Sequence, residues 1–256
     1  MRAKMQIFNS TADWLIFRKS IPAEKPIGFV PTMGALHKGH LSLMKKSVDE
    51  NDLTVVSIFV NPTQFNNQND LENYPRNFES DSNLIRAIGV DAVFFPTKDE
   101  IYPNHYRYRI IENEKSKIME GAYRPGHFDG VLTVVMKLLN IVNPTRAYFG
   151  EKDYQQLMLI RDMVASFFMD IEIIACPTIR EKDGLALSSR NIFLTKEERA
   201  IAPNFYKTLN SRNPTDSIKK ELNEYGFGVD YIEDYFGRRF GAVTLGNVRL
   251  IDNVKL

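Results

Sequence analysis

Leu53-Thr-Val-Val-Ser-Ile-Phe-Val60 is a nearly unbroken run of β-branched and apolar residues. A strand with one wet face alternates apolar and polar side chains. A run of this kind suits a strand covered on both faces, as in parallel sheets flanked by helices. The surrounding sequence repeats the unit. Ile27–Val30, Ala92–Phe95, Arg146–Phe149 and Ile171–Cys176 read as further short strands. Between them, His40–Val48, Asn77–Ile88, Asp129–Val142 and Tyr154–Phe167 read as helices, with Gly89 as the stop of the second. Alternation at this pace predicts an α/β, Rossmann-like domain over residues 1–177, with a parallel sheet and right-handed crossovers.

Beyond Pro177 the pattern changes. Arg180–Arg190 is polar and hinge-like, and Thr195-Lys-Glu-Glu198 has the spacing of a capping box. Asn210–Asp216 is a turn, and Val229–Asp234 and Val248–Asp252 are short strands. These predict a smaller α+β C-terminal domain over residues 178–256, acting as a lid.

Composition narrows the partners. Of 256 residues, 33 are Lys or Arg and 32 are Asp or Glu, so no broad basic face for nucleic acid is expected. A small-molecule partner follows. The single cysteine, Cys176, ends an apolar strand and is assigned to packing. Met1–Ser10 holds no signal-type apolar stretch, and no run of about 18 apolar residues exists to span a membrane. The expected compartment is the cytoplasm.

In such sheets ligands bind beyond the carboxyl ends of the strands. There lie Pro31–His40, Asn61–Gln64, Gly150–Asp153 and the stretch after Pro177, rich in Gly, His, Lys, Gln and Asp. In Pro31-Thr-Met-Gly-Ala-Leu-His-Lys-Gly-His40 a strand feeds a helix. Free backbone N–H groups and the helix dipole favour an anion there, and Gly34 and Gly39 permit close backbone approach. His37 and His40, three apart, share a helical face and can both donate to phosphate. The positive helix end favours their neutral forms. A zinc site would need a third ligand, and His105 and His127 fall in distant loops. Neither G-x-G-x-x-G nor G-x-x-x-x-G-K-[ST] is present.

Five further blocks accompany this segment. They are Ser57-Ile-Phe-Val-Asn-Pro-Thr-Gln-Phe65, Tyr74-Pro-Arg76, Arg124-Pro-Gly-His-Phe128, Phe149-Gly-Glu-Lys-Asp-Tyr-Gln-Gln156 and Asp183-Gly-Leu-Ala-Leu-Ser-Ser-Arg-Asn191. Together they resemble the pantoate–β-alanine ligases (pantothenate synthetases) of the H-x-G-H nucleotidyltransferase superfamily. The resemblance runs from Ile27 to Pro203 and returns at Leu250-Ile-Asp-Asn253. It implies that ATP, with Mg²⁺, and (R)-pantoate give pantoyl adenylate and pyrophosphate. The amine of β-alanine then displaces AMP to form pantothenate. It also implies a homodimer.

Residue by residue, the resemblance assigns ATP contacts to Met33, Gly34, Ala35, Leu36, His37, Lys38, Gly39 and His40, with His40 as proton donor. Gly150, Glu151, Lys152 and Asp153 form a second ATP segment, with Lys152 as a point charge against phosphate. Ile179 is assigned to the adenine end. Leu187, Ser188, Ser189 and Arg190 occupy the place of the mobile K-M-S-K-S loop, with Arg190 offering a fork for phosphate oxygens. Gln64 and Gln156 are assigned to pantoate, and Gln64 also to β-alanine. A neutral amide suits hydroxyls beside a carboxylate without pairing that nucleophile to a fixed charge. Arg124 and His127 are candidates for the substrate side. Asn66–Asn83 is a candidate wall, and Asp81 is either a helix N-terminal acid or a Mg²⁺ ligand. The metal ligands are otherwise unassigned. The C-terminal domain reads as shorter than usual for the family, near Asn210–Lys219. A nucleotidyltransferase acting on a phosphate would share H-x-G-H, but would need neither the two glutamines nor an amine acceptor.

Overall fold

The computed structural model describes residues 4–256; the first three residues of the Met1–Ser10 segment, and of the 1–177 unit, lie outside the described residues. Strands β1 (Gln6–Phe8), β2 (Ile27–Thr32), β3 (Leu53–Ile58), β4 (Ala92–Phe94), β5 (Arg146–Gly150) and β6 (Glu172–Cys176) form a six-stranded sheet in the order β1-β4-β3-β2-β5-β6. Every pairing in it is parallel. Between these strands run α1 (Thr11–Ser20), α2 (Lys38–Glu50), α3 (Gln68–Glu72), α4 (Phe78–Ile88), α5 (Lys98–Ile101), α6 (Glu120–Tyr123), α7 (His127–Val142) and α8 (Tyr154–Ser166).

The central strands β2, β3 and β4 are buried almost throughout because each face meets a different set of helices. Phe29, Val55, Phe94, Ala147 and Phe149 pack with Trp14 of α1 and with α7 and α8. Their sequence neighbours Val30, Val56, Val93 and Tyr148 pack on the opposite face with Leu43 and Met44 of α2 and Ile85 of α4. This is the period-2 alternation of strand side chains, with both faces dry. Each fully buried Val, Ile or Phe contributes about 1.5–3 kcal/mol. The expected stop at Gly89 is a left-handed cap with φ 88°.

The chain then forms α9 (Lys196–Ile201), α10 (Pro203–Leu209) and α11 (Thr215–Glu224). An antiparallel three-stranded sheet follows: β7 (Gly228–Tyr235), β8 (Arg238–Leu245) and β9 (Val248–Lys255). Leu185, Phe205, Leu209, Ile218, Leu222, Val243 and Leu250 share a hydrophobic cluster of their own. The predicted capping box is present, the Thr195 and Glu198 side chains each accepting the other's backbone N–H.

Two strands are expected in this region from sequence, and a third, β8, lies between them. That strand opens on Arg238 and Arg239, which look like surface residues yet are only 7% and 6% exposed. Asp234 takes the Arg239 guanidinium at 2.7 and 2.9 Å. Arg238 lies over the Tyr154 ring, 4.3 Å from its centroid. Edge strand β1, three residues with two of them exposed, is also not expected from sequence.

Candidate active site

Strand β2 pairs with β3 along its whole length, from Ile27↔Leu53 to Thr32↔Ile58. With β5 it pairs only at Gly28↔Arg146 and Phe29↔Ala147. Pro31 has no N–H to continue that second ladder, and the two strands part before reaching it. Strand order also reverses here, with β3 and β4 to one side of β2 and β5 and β6 to the other. Open α/β sheets hold ligands at such a point. A cavity of about 270 Å³ opens there, between Pro31, His40, Gln64, Lys152, Gln156 and Ser188.

His37 is the N-cap of α2, and its Nδ1 accepts the Gly39 N–H at 3.1 Å. His40 Nδ1 in turn accepts the His37 N–H at 3.4 Å. These bonds satisfy two orphan helix N–H groups. They also assign the tautomer: each Nδ1 is an acceptor, so each neutral ring carries its proton on Nε2. The rings lie 4.1 Å apart between centroids. Burial, then the Lys152 ammonium, holds His37 down to about 4. Burial, with His37 and Lys152, holds His40 down to about 3. Both are neutral donors at pH 7, as expected for this helix end. A Cβ on Gly39 would fall 2.8 Å from His37 Cε1, so glycine here makes room for the capping ring.

The loop before the helix is held from behind. Asp81, on α4 and only 4% exposed, accepts the Ala35 N–H on Oδ2 and the Leu36 N–H on Oδ1, each at 2.9 Å. Gly34 has φ 80°, and a Cβ there would meet Asp81 Oδ2 at 2.9 Å. Ala35 has φ 51°, uncommon for a residue with a side chain. Asp81 is thus a clamp on the loop, with both oxygens engaged by backbone.

Opposite the histidines, Gln64 closes a single-turn helix after β3. Its Oε1 accepts from Asn61 Nδ2 at 3.1 Å, and its Nε2 lies 3.1 Å from Met33 Sδ. Asn61 is buried; Tyr102 donates to its Oδ1 at 2.8 Å, and its Nδ2 also donates to the Gly130 carbonyl at 3.1 Å. The amide of Gln64 is therefore oriented with nitrogen toward Met33. Arg124 and His127 both donate to the Gln64 backbone carbonyl, at 3.0 and 2.8 Å. Burial, with the Arg124 charge, holds His127 down to about 4. They line the cavity and also fix its glutamine. Neither Asn61 nor Tyr102 has a role expected from sequence; the Asn in Asn61-Pro-Thr-Gln64 is the available signal.

The remaining wall comes from later in the chain. Gly150, Lys152, Asp153, Gln156, Ile179 and Leu187–Arg190 all face the same space. Arg190 reaches across to α3, pairing with Asp70 at 2.9 Å and lying over Tyr74. The candidate wall Asn66–Asn83 therefore meets the Ser-Ser-Arg loop directly.

Of the residues expected at the nucleotide, Met33, His37, Gly39 and His40 line the cavity, while Gly34, Ala35, Leu36, Lys38 and Glu151 do not. Gly34 to Leu36 turn toward Asp81, and Lys38 is exposed. Glu151 faces Arg238 at 3.4 Å. His105 is exposed on a loop, and Cys176 is buried at the end of β6 with its thiol pushed up to about 11 by desolvation. Both were expected.

The family model for pantoate-beta-alanine ligase matches residues 6–255. A pantothenate synthetase of Legionella pneumophila is 54% identical over 252 residues, covering 98% of this chain and 100% of the relative. One from Bdellovibrio bacteriovorus is 53% identical, covering 98% and 99%. The short C-terminal region is thus shared with these relatives. A crystal structure of pantoate-beta-alanine ligase from Francisella tularensis, complexed with beta-gamma ATP and beta-alanine, superposes with a TM-score of 0.94 at 46% identity, covering 98% of each chain. One from Thermus thermophilus gives 0.89 at 40%, covering 98% of this chain and 99% of that one. A matched fold, a match across nearly every residue and a cleft built from the motif blocks lead to one assignment: this chain belongs to the pantoate–β-alanine ligase family.

Proposed function

We propose that the chain condenses (R)-pantoate with β-alanine at the expense of ATP, by way of pantoyl adenylate. The observation that carries this reading is the pair of neutral, Nε2-protonated histidines facing Lys152 and two glutamines across one cleft. In the first step a pantoate carboxylate oxygen attacks the α-phosphorus, and the bond to the β-phosphate bridge breaks. Charge builds on the departing pyrophosphate. His37 and His40 donate through Nε2, His40 as the proton donor, while Lys152 and Arg190 supply fixed positive charge. Ser188 and Ser189 add hydroxyl donors, and Ile179 and Leu187 flank the adenine. Gln64 and Gln156 orient pantoate, which places its carboxylate for in-line attack. In the second step the neutral amine of β-alanine attacks the acyl carbon beside Gln64. AMP leaves and one proton is released.

Mg²⁺ enters with ATP as part of the substrate. Among the described residues no group of three or more His, Cys, Asp or Glu is placed to hold a metal. Mg²⁺ is commonly held by substrate phosphates, water and one or two carboxylates. Asp153 on the cavity wall is the carboxylate that fits this pattern, since both Asp81 oxygens are engaged. In this reading residues 1–177 carry the nucleotide and pantoate sites, and residues 178–256 close over them. The separate hydrophobic cluster of the C-terminal part supports that division. A cytoplasmic homodimer completes the proposal; no helix of the described residues is long and apolar enough to cross a membrane.

The test is an assay of pyrophosphate and AMP with each substrate omitted in turn. Pyrophosphate release that requires pantoate, and AMP turnover that requires both pantoate and β-alanine, is the expected pattern. Steady AMP release without β-alanine, or pyrophosphate release without pantoate, would overturn it.

A further inference from the structure

The Leu250-Ile-Asp-Asn253 block lies far in sequence from the cleft, and the chemistry above gives it no part. Asn253, on β9, is 2% exposed. Its Nδ2 donates to two consecutive backbone carbonyls, Glu151 at 2.8 Å and Lys152 at 2.9 Å. Its Oδ1 accepts from Arg238 Nε at 2.5 Å. Arg238 cannot donate to an amide nitrogen, so the side chain has one orientation. Both amide hydrogens are spent on the single turn, Glu151–Asp153, that carries Lys152 into the cavity wall.

The adjoining residue does similar work on another nucleotide-side segment. Asp252 takes Arg180 in a two-pronged pair at 2.5 and 2.9 Å. Arg180 follows Ile179 and stacks 3.8 Å from the Tyr206 ring centroid. Neighbouring strand residues point to opposite faces. One strand thereby grips two loops at once.

We infer that Asn253 is a positioning residue for Lys152, setting from the C-terminal sheet the turn that presents the lysine ammonium to the nucleotide phosphates. This rests on the reading of Lys152 as a phosphate-binding residue. Lys152 has a long, flexible stem, so the turn fixes its origin and its range. Catalytic groups tolerate only about 0.5 Å of misplacement, and about 1 Å can cost 10²-fold in rate.

Asn253→Asp separates this role from simple anchoring. A carboxylate keeps, and strengthens, the contact with Arg238. It has no N–H for the two carbonyls and sets an oxygen against them. The experiment measures pantoate-dependent pyrophosphate release against ATP concentration for wild type, Asn253→Asp, Lys152→Ala and the double variant. Thermal melts confirm that each is folded. Asn253→Asp should lower kcat/KM for ATP by about 10–100-fold, within the range such misplacement produces, while KM for pantoate moves by less than about 2-fold. In the Lys152→Ala background it should cost nothing further, because the group it positions is gone. Wild-type kinetics in Asn253→Asp would overturn the inference, as would the same further loss in the Lys152→Ala background. Wild-type kinetics in Lys152→Ala alone would instead overturn the reading of Lys152, and the inference with it.

Discussion

The backbone N–H of His37 donates to Nδ1 of His40 at 3.4 Å, so the first turn of α2 itself decides which nitrogen of His40 carries a proton. In the proposed reaction the free Nε2–H is the group that meets charge developing on the phosphates. His40→Ala should lower pantoate-dependent pyrophosphate release by about 10²–10³-fold, the usual cost of losing one such donor. The cap it forms is worth about 1 kcal/mol, so the fold should persist. Wild-type release from a folded His40→Ala protein would remove this histidine from the mechanism.

The same burial gives a pH signature. His37, His40 and His127 are held near 4, 3 and 4 in the folded protein, below the usual 6.5. Above pH 6.5 they are neutral in both folded and unfolded chains and add no pH dependence. Below it the unfolded chain takes up protons that the folded chain refuses, so stability falls from pH 6.5 down toward the folded values. Each histidine contributes a slope of about 1.4 kcal/mol per pH unit at most. Urea midpoints measured from pH 7.5 to 4.5 should drop, and drop less steeply in His40→Asn. Parallel curves for the two proteins would show that His40 titrates normally.

Asp81 holds the loop ahead of these histidines by accepting two backbone N–H groups on its two oxygens. Asn in its place keeps one acceptor and turns an NH₂ group against the other N–H. An unmet buried donor costs about 1–3 kcal/mol. Asp81→Asn should therefore lower the melting temperature and raise KM for ATP, because Ala35 would no longer be held at φ 51°. If instead the carboxylate served only a metal, the variant would keep its stability in metal-free buffer, and a melt there separates the two roles.

How much of this was legible in the sequence follows from the range of the interactions. The paired alternation of Phe29 with Val30 and of Val55 with Val56 is local, and so are Gly89 and the Thr195–Glu198 box. All of these were readable. The motif blocks named the cavity-facing histidines, Lys152 and the glutamines, because each block is a strand end whose position the topology dictates. What escaped reading joins residues far apart. Tyr102 orients Asn61, Asp81 clamps Ala35, and Asn253 caps the Lys152 turn. Nothing in a single sequence pairs such positions. Strand β8 was hidden for a related reason: Arg238 is buried against the distant Glu151 and Tyr154, while Arg239 pairs with Asp234 across the β7–β8 turn.

Gly130 offers the sharpest test of the pantoate side. It lies in α7, where an alanine would ordinarily strengthen the helix by about 1 kcal/mol. Here an added Cβ would meet the Thr63 carbonyl oxygen at 2.4 Å and the Gln64 backbone nitrogen at 2.8 Å. Those are backbone atoms and cannot swing aside, so the Pro62–Gln64 turn must move as a unit. The shift also pulls on Asn61, whose Nδ2 donates to both the Gly130 carbonyl and Gln64. Gln64 would lose its set orientation while the histidines, Lys152 and the Ser-Ser-Arg loop stay in place. Gly130→Ala should raise KM for pantoate about 10-fold or more, with KM for ATP changed by less than about 2-fold, as expected when one substrate's positioning group moves by about 1 Å. Overpacking of this kind also costs about 1–3 kcal/mol, which a thermal melt would read. Equal rises in both Michaelis constants would mean that the turn does not serve pantoate alone, and unchanged constants would remove Gln64 from the pantoate site.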